Sequence, residues 1–213
     1  MSNLIYIMGK SATGKDTIYK IIKDKIDVKE YILYTTRPMR EGEQEGVDYH
    51  YVSNEQIEQY KKEGKIVESR TYQTVKGPWT YATIEDEQLK QDGDIITVGT
   101  IESYNKVKEY YKNKNDAKLL PVYITIDEEE RKSRALKREA MQANPNYAEV
   151  ERRINADNID FSQEKLMEAG IGEKQTFKNY DLDTCVEEII NYIQKERENN
   201  IASIREKEED TER

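Results

Sequence analysis

Gly9-Lys10-Ser11-Ala12-Thr13-Gly14-Lys15-Asp16-Thr17 follows directly on the apolar run Leu4–Met8. A strand-sized run leading into G-x-x-x-x-G-K is a phosphate-binding pattern: a strand ends, a turn curls and a helix begins. Gly9 and Gly14 allow backbone conformations closed to other residues, so that successive N–H groups converge in a concave nest. The nest and the first turn of the following helix carry partial positive charge, which suits a triphosphate bound along residues Gly9–Thr17. Lys15 would reach the β- and γ-phosphates. The pattern expects Ser or Thr after the lysine, as a Mg²⁺ ligand, and this chain has Asp16. Two readings stay open. The carboxylate is a hard oxygen ligand for Mg²⁺, with the Thr17 hydroxyl one residue on, or its charge beside the phosphates weakens nucleotide binding.

Arginines supply the other cationic groups. They cluster as Arg37 and Arg40, then as Arg131, Arg134, Arg138, Arg152 and Arg153. Clusters of this kind in an acidic chain suit small anions. The net charge of −9 argues against a nucleic-acid platform. With 213 residues, 36% of them hydrophobic and 36% charged, the chain can bury one substantial core. Its apolar runs are strand-sized and too short to cross a bilayer. No signal peptide is expected, because the first apolar run leads straight into the glycine-rich loop. One cysteine, Cys185, and one histidine, His50, exclude a disulfide framework and a Cys/His zinc cluster, and fit a cytoplasmic location.

These groups need elements to position them. Periodicity predicts a helix over Lys15–Ile26, a second strand over Tyr31–Thr35 and a β-rich segment over Tyr49–Ser53. Ser53 with Gln56 forms a capping box opening a helix that stops at Gly64. Lys65–Gln73 and Thr80–Thr83 read as strands of a small sheet, and Thr83 with Asp86 as the start of a short helix ended by Gly93. Then come a strand over Asp94–Thr100, a helix over Ile101–Lys112 and a strand over Lys118–Ile126. A helix from Asp127 to about Gln142 carries Arg131, Arg134 and Arg138 along one side. After the Asn144-Pro145-Asn146 break a second helix spans Tyr147–Ala169. Lys174–Tyr180 supplies a last strand, and Asp183 caps a long C-terminal helix. Alternating strands and helices specify an α/β fold with a parallel, doubly wound sheet. The site is expected beyond the carboxyl ends of its strands.

Thr35-Thr36-Arg37-Pro38-Met39-Arg40-Glu41-Gly42-Glu43, followed by Gly46-Val47-Asp48-Tyr49-His50-Tyr51-Val52, resembles the guanylate kinase family, whose segment reads T-T-R-x-x-R-x-G-E and then G-x-D-Y-x-F-V. The resemblance covers most of residues 3–195. It implies one domain over 1–200: a core (about 1–35, 94–126 and 170–200), a β-rich acceptor lobe (about 36–88) and a helical lid (about 127–160). A charged tail over 201–213 follows. It implies Mg²⁺-assisted phosphoryl transfer from ATP to GMP, and to dGMP, with no nucleic acid, membrane or obligate protein partner.

Carried over residue by residue, the resemblance gives Arg37, Arg40 and Tyr49 the acceptor phosphate; two guanidinium forks and a phenol are suited to a dianion. Glu68 would accept from guanine N1–H and the 2-amino group. Arg138 and Arg153 would approach the transferring phosphoryl group, with Lys15. Asn179 would lie near the adenine, or serve a turn or cap. The chain also departs from the family. Trp79-Thr80-Tyr81 stands where the family has Tyr-Gly-Ser/Thr, so either Trp79 and Tyr81 replace the phosphate tyrosine and the small hydroxyl, or Tyr81 turns inward and serves as the tyrosine. Thr97-Val98-Gly99 replaces an Asp-x-Asp strand end, with Glu102 a possible substitute. These departures keep two alternatives open: a related kinase for another nucleotide or a sugar phosphate, and a non-catalytic phosphopeptide-binding module. Such modules typically lose the loop lysine, which is present here.

Overall fold

The structure, a computed structural model, describes residues 2–74, 77–112, 114 and 117–211. Strand β1 (Ser2–Gly9) runs through the middle of a five-stranded, all-parallel sheet in the order β2-β7-β1-β8-β9. The other strands are β2 (Lys29–Glu30), β7 (Ile95–Gly99), β8 (Ala117–Thr125) and β9 (Thr176–Lys178). A central parallel strand is covered on both faces, which explains the unbroken apolar run in β1. Its side chains alternate. Ile5 and Ile7 pack with Ile18 and Ile22 of α1 (Lys15–Lys25) and with Val186, Ile189 and Ile193 of α7 (Leu182–Thr211). Leu4, Tyr6 and Met8 point to the other face, against Tyr104 and Val107 of α3 (Ile101–Tyr111) and Leu166 of α6 (Gln163–Ala169).

A second sheet, ordered β4-β3-β6-β5, comprises β3 (Tyr34–Thr35), β4 (His50–Tyr51), β5 (Ile66–Thr74) and β6 (Gly77–Ile84). Helix α2 (Asn54–Lys62) packs Ile57 against Ala82 and Ile84 of this sheet. It starts at the expected capping box: Ser53 Oγ accepts from the Gln56 N–H, and Gln56 Oε1 from the Ser53 N–H. The chain passes between the sheets at Tyr31, whose N–H donates to Ile96 O at 2.9 Å. Its phenol donates to Ile84 O and accepts from the Ile84 N–H, which fastens the second sheet to the first.

Of the strand expected over Tyr31–Thr35 only Tyr34–Thr35 forms, as β3 in the second sheet; β2 precedes the crossing at Tyr31 and belongs to the first sheet. The short helix expected between Thr83 and Gly93 is absent. Asp86 is taken by the Tyr34 phenol and the Gln88 N–H, and residues 87–90 form turns. The helix expected over Tyr147–Ala169 is two, α5 (Tyr147–Asp160) and α6, because Phe161 turns inward onto Tyr123 and Ser162 caps α6 through the Lys165 N–H. The last strand is shorter than Lys174–Tyr180, with a single 3₁₀ turn at Glu173–Gln175 before it. Asp181 rather than Asp183 caps α7, accepting from the Thr184 N–H at 2.9 Å. The α7 backbone stays helical to Thr211; Glu212 and Arg213, the end of the expected tail, lie outside the described residues.

Candidate active site

All five strands of the first sheet are parallel, so Gly9, Gly99 and Thr125 lie along one edge, where the glycine-rich loop sits. A Cβ on Gly9 would stand 2.7 Å from Ile124 O and 2.8 Å from Thr13 Oγ1, closer than side chains pack. Ala12 and Gly14 both take left-handed backbone conformations, with φ of 65° and 90°. Asn179 fixes the curl: its N–H donates to Thr125 O, and its side-chain amide donates to Thr13 O at 2.8 Å. A Cβ on Gly14 would run into that amide. In this arrangement Asn179 braces the loop, filling the structural role that the sequence left open beside an adenine contact.

Helix α1 then starts at Lys15 with no side-chain cap on its first N–H groups. Such an end is an anion-binding site by construction. Lys15 is half-buried, and its ammonium lies 3.8 Å from the Asp16 carboxylate, which is mostly exposed. Ser11 is already engaged, its N–H donating to Asp157 of α5 at 2.8 Å. Lys10 reaches Asn158 at 2.7 Å, and burial pulls its ammonium below the usual range.

Helix α4 (Glu128–Ala140) sorts its arginines. Arg131 is 1% exposed and bonds Glu128, Asp157, Asn158 and Ser11 O, so it ties α4 and α5 to the loop. Arg134 pairs with Glu130. Arg152 is exposed and forked onto Glu149 of its own helix. Arg153 is held loosely, 3.5 Å from Glu139 and 3.7 Å from Glu149, with Nε sealed from solvent and unbonded. Arg138 makes no ion pair among the described residues. Arg40, Arg138 and Arg153 line one polar recess of about 560 Å³. Arg40 from the β3–β4 connection, Arg138 from α4 and Arg153 from α5 share it with one acid, Glu139, so that cations outnumber anions there, an environment suited to a phosphoryl group.

Arg37 and Arg40 are not equivalent. Arg37 is 3% exposed, its fork closed on Glu43 at 2.9 and 2.8 Å and its guanidinium 5.3 Å from the Tyr49 ring centroid. Those bonds from Arg37 hold the Glu43 carboxyl down to about 2. Glu43 also accepts from the Tyr51 phenol and the Arg40 N–H, which locks the turn. Arg40 is left exposed. Tyr49 lines a cleft of about 460 Å³ together with Asp16 and Val98, bringing the α1 start and the second sheet to one opening.

On β5 and β6 the pairs Glu68–Thr83, Arg70–Tyr81 and Tyr72–Trp79 lie side by side, so these six residues share one face. Thr83 donates to Glu68 Oε1 at 3.1 Å. Glu68 is 3% exposed, and burial raises its carboxyl above the usual range, opposed by the Arg70 charge. Tyr81 packs edge-on between Tyr49 and Tyr72, whereas Trp79 lies further along the sheet. Arg70, and Thr83 as a site residue rather than a helix start, are absent from the sequence reading; strand alternation from Glu68 and Tyr81 is the signal that finds them. Gly99 is also explained: a Cβ there would run into the Tyr6 phenol, which donates to Ser103 at 2.8 Å. Glu102 pairs with Lys106 on the outside of α3.

No group of three or more His, Cys, Asp or Glu side chains forms a metal cage among the described residues. Mg²⁺ does not need one, since it is commonly held by one or two protein oxygens, waters and substrate phosphates. Asp16 and Thr17, both exposed at the start of α1, fit that donor set.

Residues 1–196 match the family described as guanylate kinase. The guanylate kinase of Fusobacterium nucleatum is 29% identical over 134 residues, 62% of this chain and 68% of that one. That of Helicobacter pylori strain 26695 is 32% identical over 117 residues, 52% of this chain and 54% of that one. The fold is similar to the crystal structure of guanylate kinase from Anaplasma phagocytophilum, with a TM-score of 0.60 at 17% identity over 92% of this chain and 86% of that one. A match across nearly the whole chain, on a fold with a glycine-rich loop at its sheet edge, places this protein in the guanylate kinase family.

Proposed function

We propose that this protein transfers the γ-phosphoryl group of ATP to the 5′-phosphate of GMP, giving ADP and GDP, and that it accepts dGMP in the same way. The observation that carries this reading is the recess where Arg40 meets Arg138 and Arg153. It joins the acceptor segment to the helices that rest on the triphosphate loop. A GMP phosphate oxygen bonds to the γ-phosphorus as the bond from that phosphorus to the β,γ-bridging oxygen breaks, and ADP leaves with the electron pair.

Little covalent work falls to the protein in such a step; positioning and neutralisation of charge dominate. The loop N–H groups and Lys15 cradle the β- and γ-phosphates. Arg40 and the Tyr49 and Tyr81 phenols meet the acceptor phosphate, with Arg37 held rigid behind them by Glu43. Arg138 and Arg153 neutralise charge on the moving group and exclude water from it. Glu68 accepts from guanine N1–H and the 2-amino group, and Thr83 orients its carboxylate. Asp16 and Thr17 would hold the Mg²⁺ that accompanies ATP, which would supply neutralisation of phosphate charge. A cytoplasmic location belongs to the same reading, in keeping with a single buried cysteine, Cys185. No helix among the described residues is long and apolar enough to cross a membrane.

The test is diphosphate formation across a panel of nucleoside monophosphates. A separate prediction concerns the metal. Asp16→Asn should weaken binding of Mg·ATP by roughly tenfold or more while changing metal-free ATP by less than about threefold. Asp16→Ser restores a hydroxyl and should keep or raise activity. Calorimetric titration with and without Mg²⁺ reads both. Tighter binding of metal-free ATP with unchanged Mg²⁺ dependence would make Asp16 only a repulsive charge beside the phosphates.

A further inference from the structure

Arg138 and Arg153 reach the recess from two helices, and one buried ion pair lies at the base of both. Arg131 stands seven residues before Arg138 on α4, and Asp157 four residues after Arg153 on α5, so each pair shares a helix face. Arg131 Nη1 donates to Asp157 Oδ2 at 3.1 Å. The same carboxylate oxygen accepts from the Ser11 N–H at 2.8 Å, and Arg131 Nη1 also donates to Ser11 O at 3.4 Å. Both backbone groups of Ser11 are thus held by the pair. Beside it Lys10 Nζ donates to Asn158 Oδ1 at 2.7 Å, and Arg131 Nη2 donates to Glu128 Oε1 at 2.6 Å. Ala12 packs against Ala135, Val150 and Ile154, the apolar contact between α4 and α5.

A buried arginine deprived of its carboxylate is costly, so the pair and its bonds to Ser11 act together. The tie leaves the phosphate nest open. Ser11 precedes the left-handed turns at Ala12 and Gly14, and no side chain caps the first N–H groups of α1. What the tie fixes is where α5 stands against the loop. The Arg153 side chain, with its carboxylate partners at 3.5 and 3.7 Å, keeps room to turn. Phosphoryl transfer depends on such placement, and a displacement of about 1 Å can cost about a hundredfold in rate.

We propose that Asp157 is a positioning residue: by accepting from Ser11 and Arg131 it holds α5 where Arg153 meets the transferring phosphoryl group. This rests on transfer from ATP to GMP with Arg153 as a participant. Arg131 is the buried counter-charge and carries the same tie into α4. Because loop and helix are joined at Ser11, the loop that holds the donor phosphates and the arginine that neutralises them move as one unit.

The test is steady-state kinetics with Mg·ATP and GMP on Asp157→Asn, made in the unaltered protein and in the Arg153→Met background. The amide oxygen can still accept from Ser11 but no longer pairs with the Arg131 charge. kcat should fall about ten- to a hundredfold, with KM for ATP and GMP changed by less than about threefold. In the Arg153→Met background the same substitution should lower kcat by less than about twofold, because the group that Asp157 positions is gone. Asp157→Glu, which keeps the charge with the carboxylate one methylene further out, should fall between Asp157→Asn and the unaltered protein. It carries both comparisons if Asp157→Asn does not fold. Equal losses in the two backgrounds overturn the proposal, since a brace for the protein as a whole would act with or without Arg153. Unchanged kcat in Asp157→Asn also overturns it, as does a higher rate with tighter ATP binding, which would make the carboxylate a plug on the loop. Full activity in Arg153→Met alone, or no turnover of GMP by the unaltered protein, instead overturns the reading on which the proposal rests.

Discussion

Lys15→Ala is expected to lower kcat by on the order of 10³-fold or more while leaving GMP affinity within about threefold of the unaltered protein. Lys15 is the first residue of α1 and is half-buried, so its ammonium stands at the mouth of the nest. Its charged partner among the described residues, Asp16, is 3.8 Å away and mostly exposed, which leaves the ammonium available to a phosphate. The loop does not depend on it for shape. Asn179, bonded to Thr13 O and Thr125 O, and the left-handed turns at Ala12 and Gly14 hold the curl. The loss should therefore appear in transfer and ATP binding, without unfolding. The groups proposed for GMP lie on the second sheet and in its β3–β4 connection, so calorimetric titration with GMP should be nearly unaffected. Near-normal turnover in Lys15→Ala would mean that the glycine-rich loop does not hold the transferred phosphate.

Arg153→Met should also have a large effect, of about 10²- to 10³-fold in kcat, with KM for ATP and GMP changed by less than about threefold. The argument comes from the contrast with its neighbour. Arg152 is exposed and forked onto Glu149 at 2.7 and 2.8 Å, the geometry of a surface pair within one helix. Such pairs contribute about 0–1 kcal/mol to stability. Arg153 faces the recess with Arg138 and Arg40, its carboxylate partners at 3.5 and 3.7 Å. A cation held that loosely beside a phosphate site can turn to the charge that spreads over the γ-oxygens as transfer proceeds. Arg152→Met is the control and should leave kcat within about twofold. Steady-state kinetics on the two variants decide the matter. Equal, small effects would remove Arg153 from the reaction.

Local chemistry made much of the fold legible. The unbroken apolar run of β1, the glycine spacing after it and the Ser53–Gln56 capping box are read from neighbours in sequence, and each appears as expected. What failed was decided by distant partners. Nothing between Tyr31 and Thr35 announces that the chain changes sheets there; the crossing is fixed by Ile96 on one side and Ile84 on the other. Asp86 could have capped a helix, but the Tyr34 phenol, 52 residues away in sequence, claims its carboxylate. The break at Ser162 follows from Phe161 stacking on Tyr123 in β8.

The same division runs through the site. The arginine motif led to Arg37 and Arg40, yet their inequality depends on Glu43 and Tyr51 closing over Arg37. The helical spacing of Arg131, Arg134 and Arg138 put them on one side of α4, whereas the structure gives them different places: Arg131 is buried as a tie and Arg138 lines the recess. Replacement of the family's acids by Thr97-Val98-Gly99 looked like a loss. The acids are absent here, and at Gly99 the Tyr6 phenol fills the space that a side chain would need.

The account stands most directly on the acceptor. Unaltered protein with Mg·ATP should be offered GMP, dGMP, AMP, CMP, UMP and dTMP, with formation of each diphosphate measured. Glu68, buried and braced by Thr83, meets two donors on guanine but an acceptor at N1 of adenine and no 2-amino group. Buried polar groups left without partners discriminate by factors of about 10⁴ or more. The expected order is GMP first, dGMP second and AMP at least about 10⁴-fold below GMP in kcat/KM. Comparable rates on AMP and GMP, or turnover of none of the six, would contradict the assignment of this protein as an ATP-dependent kinase for GMP.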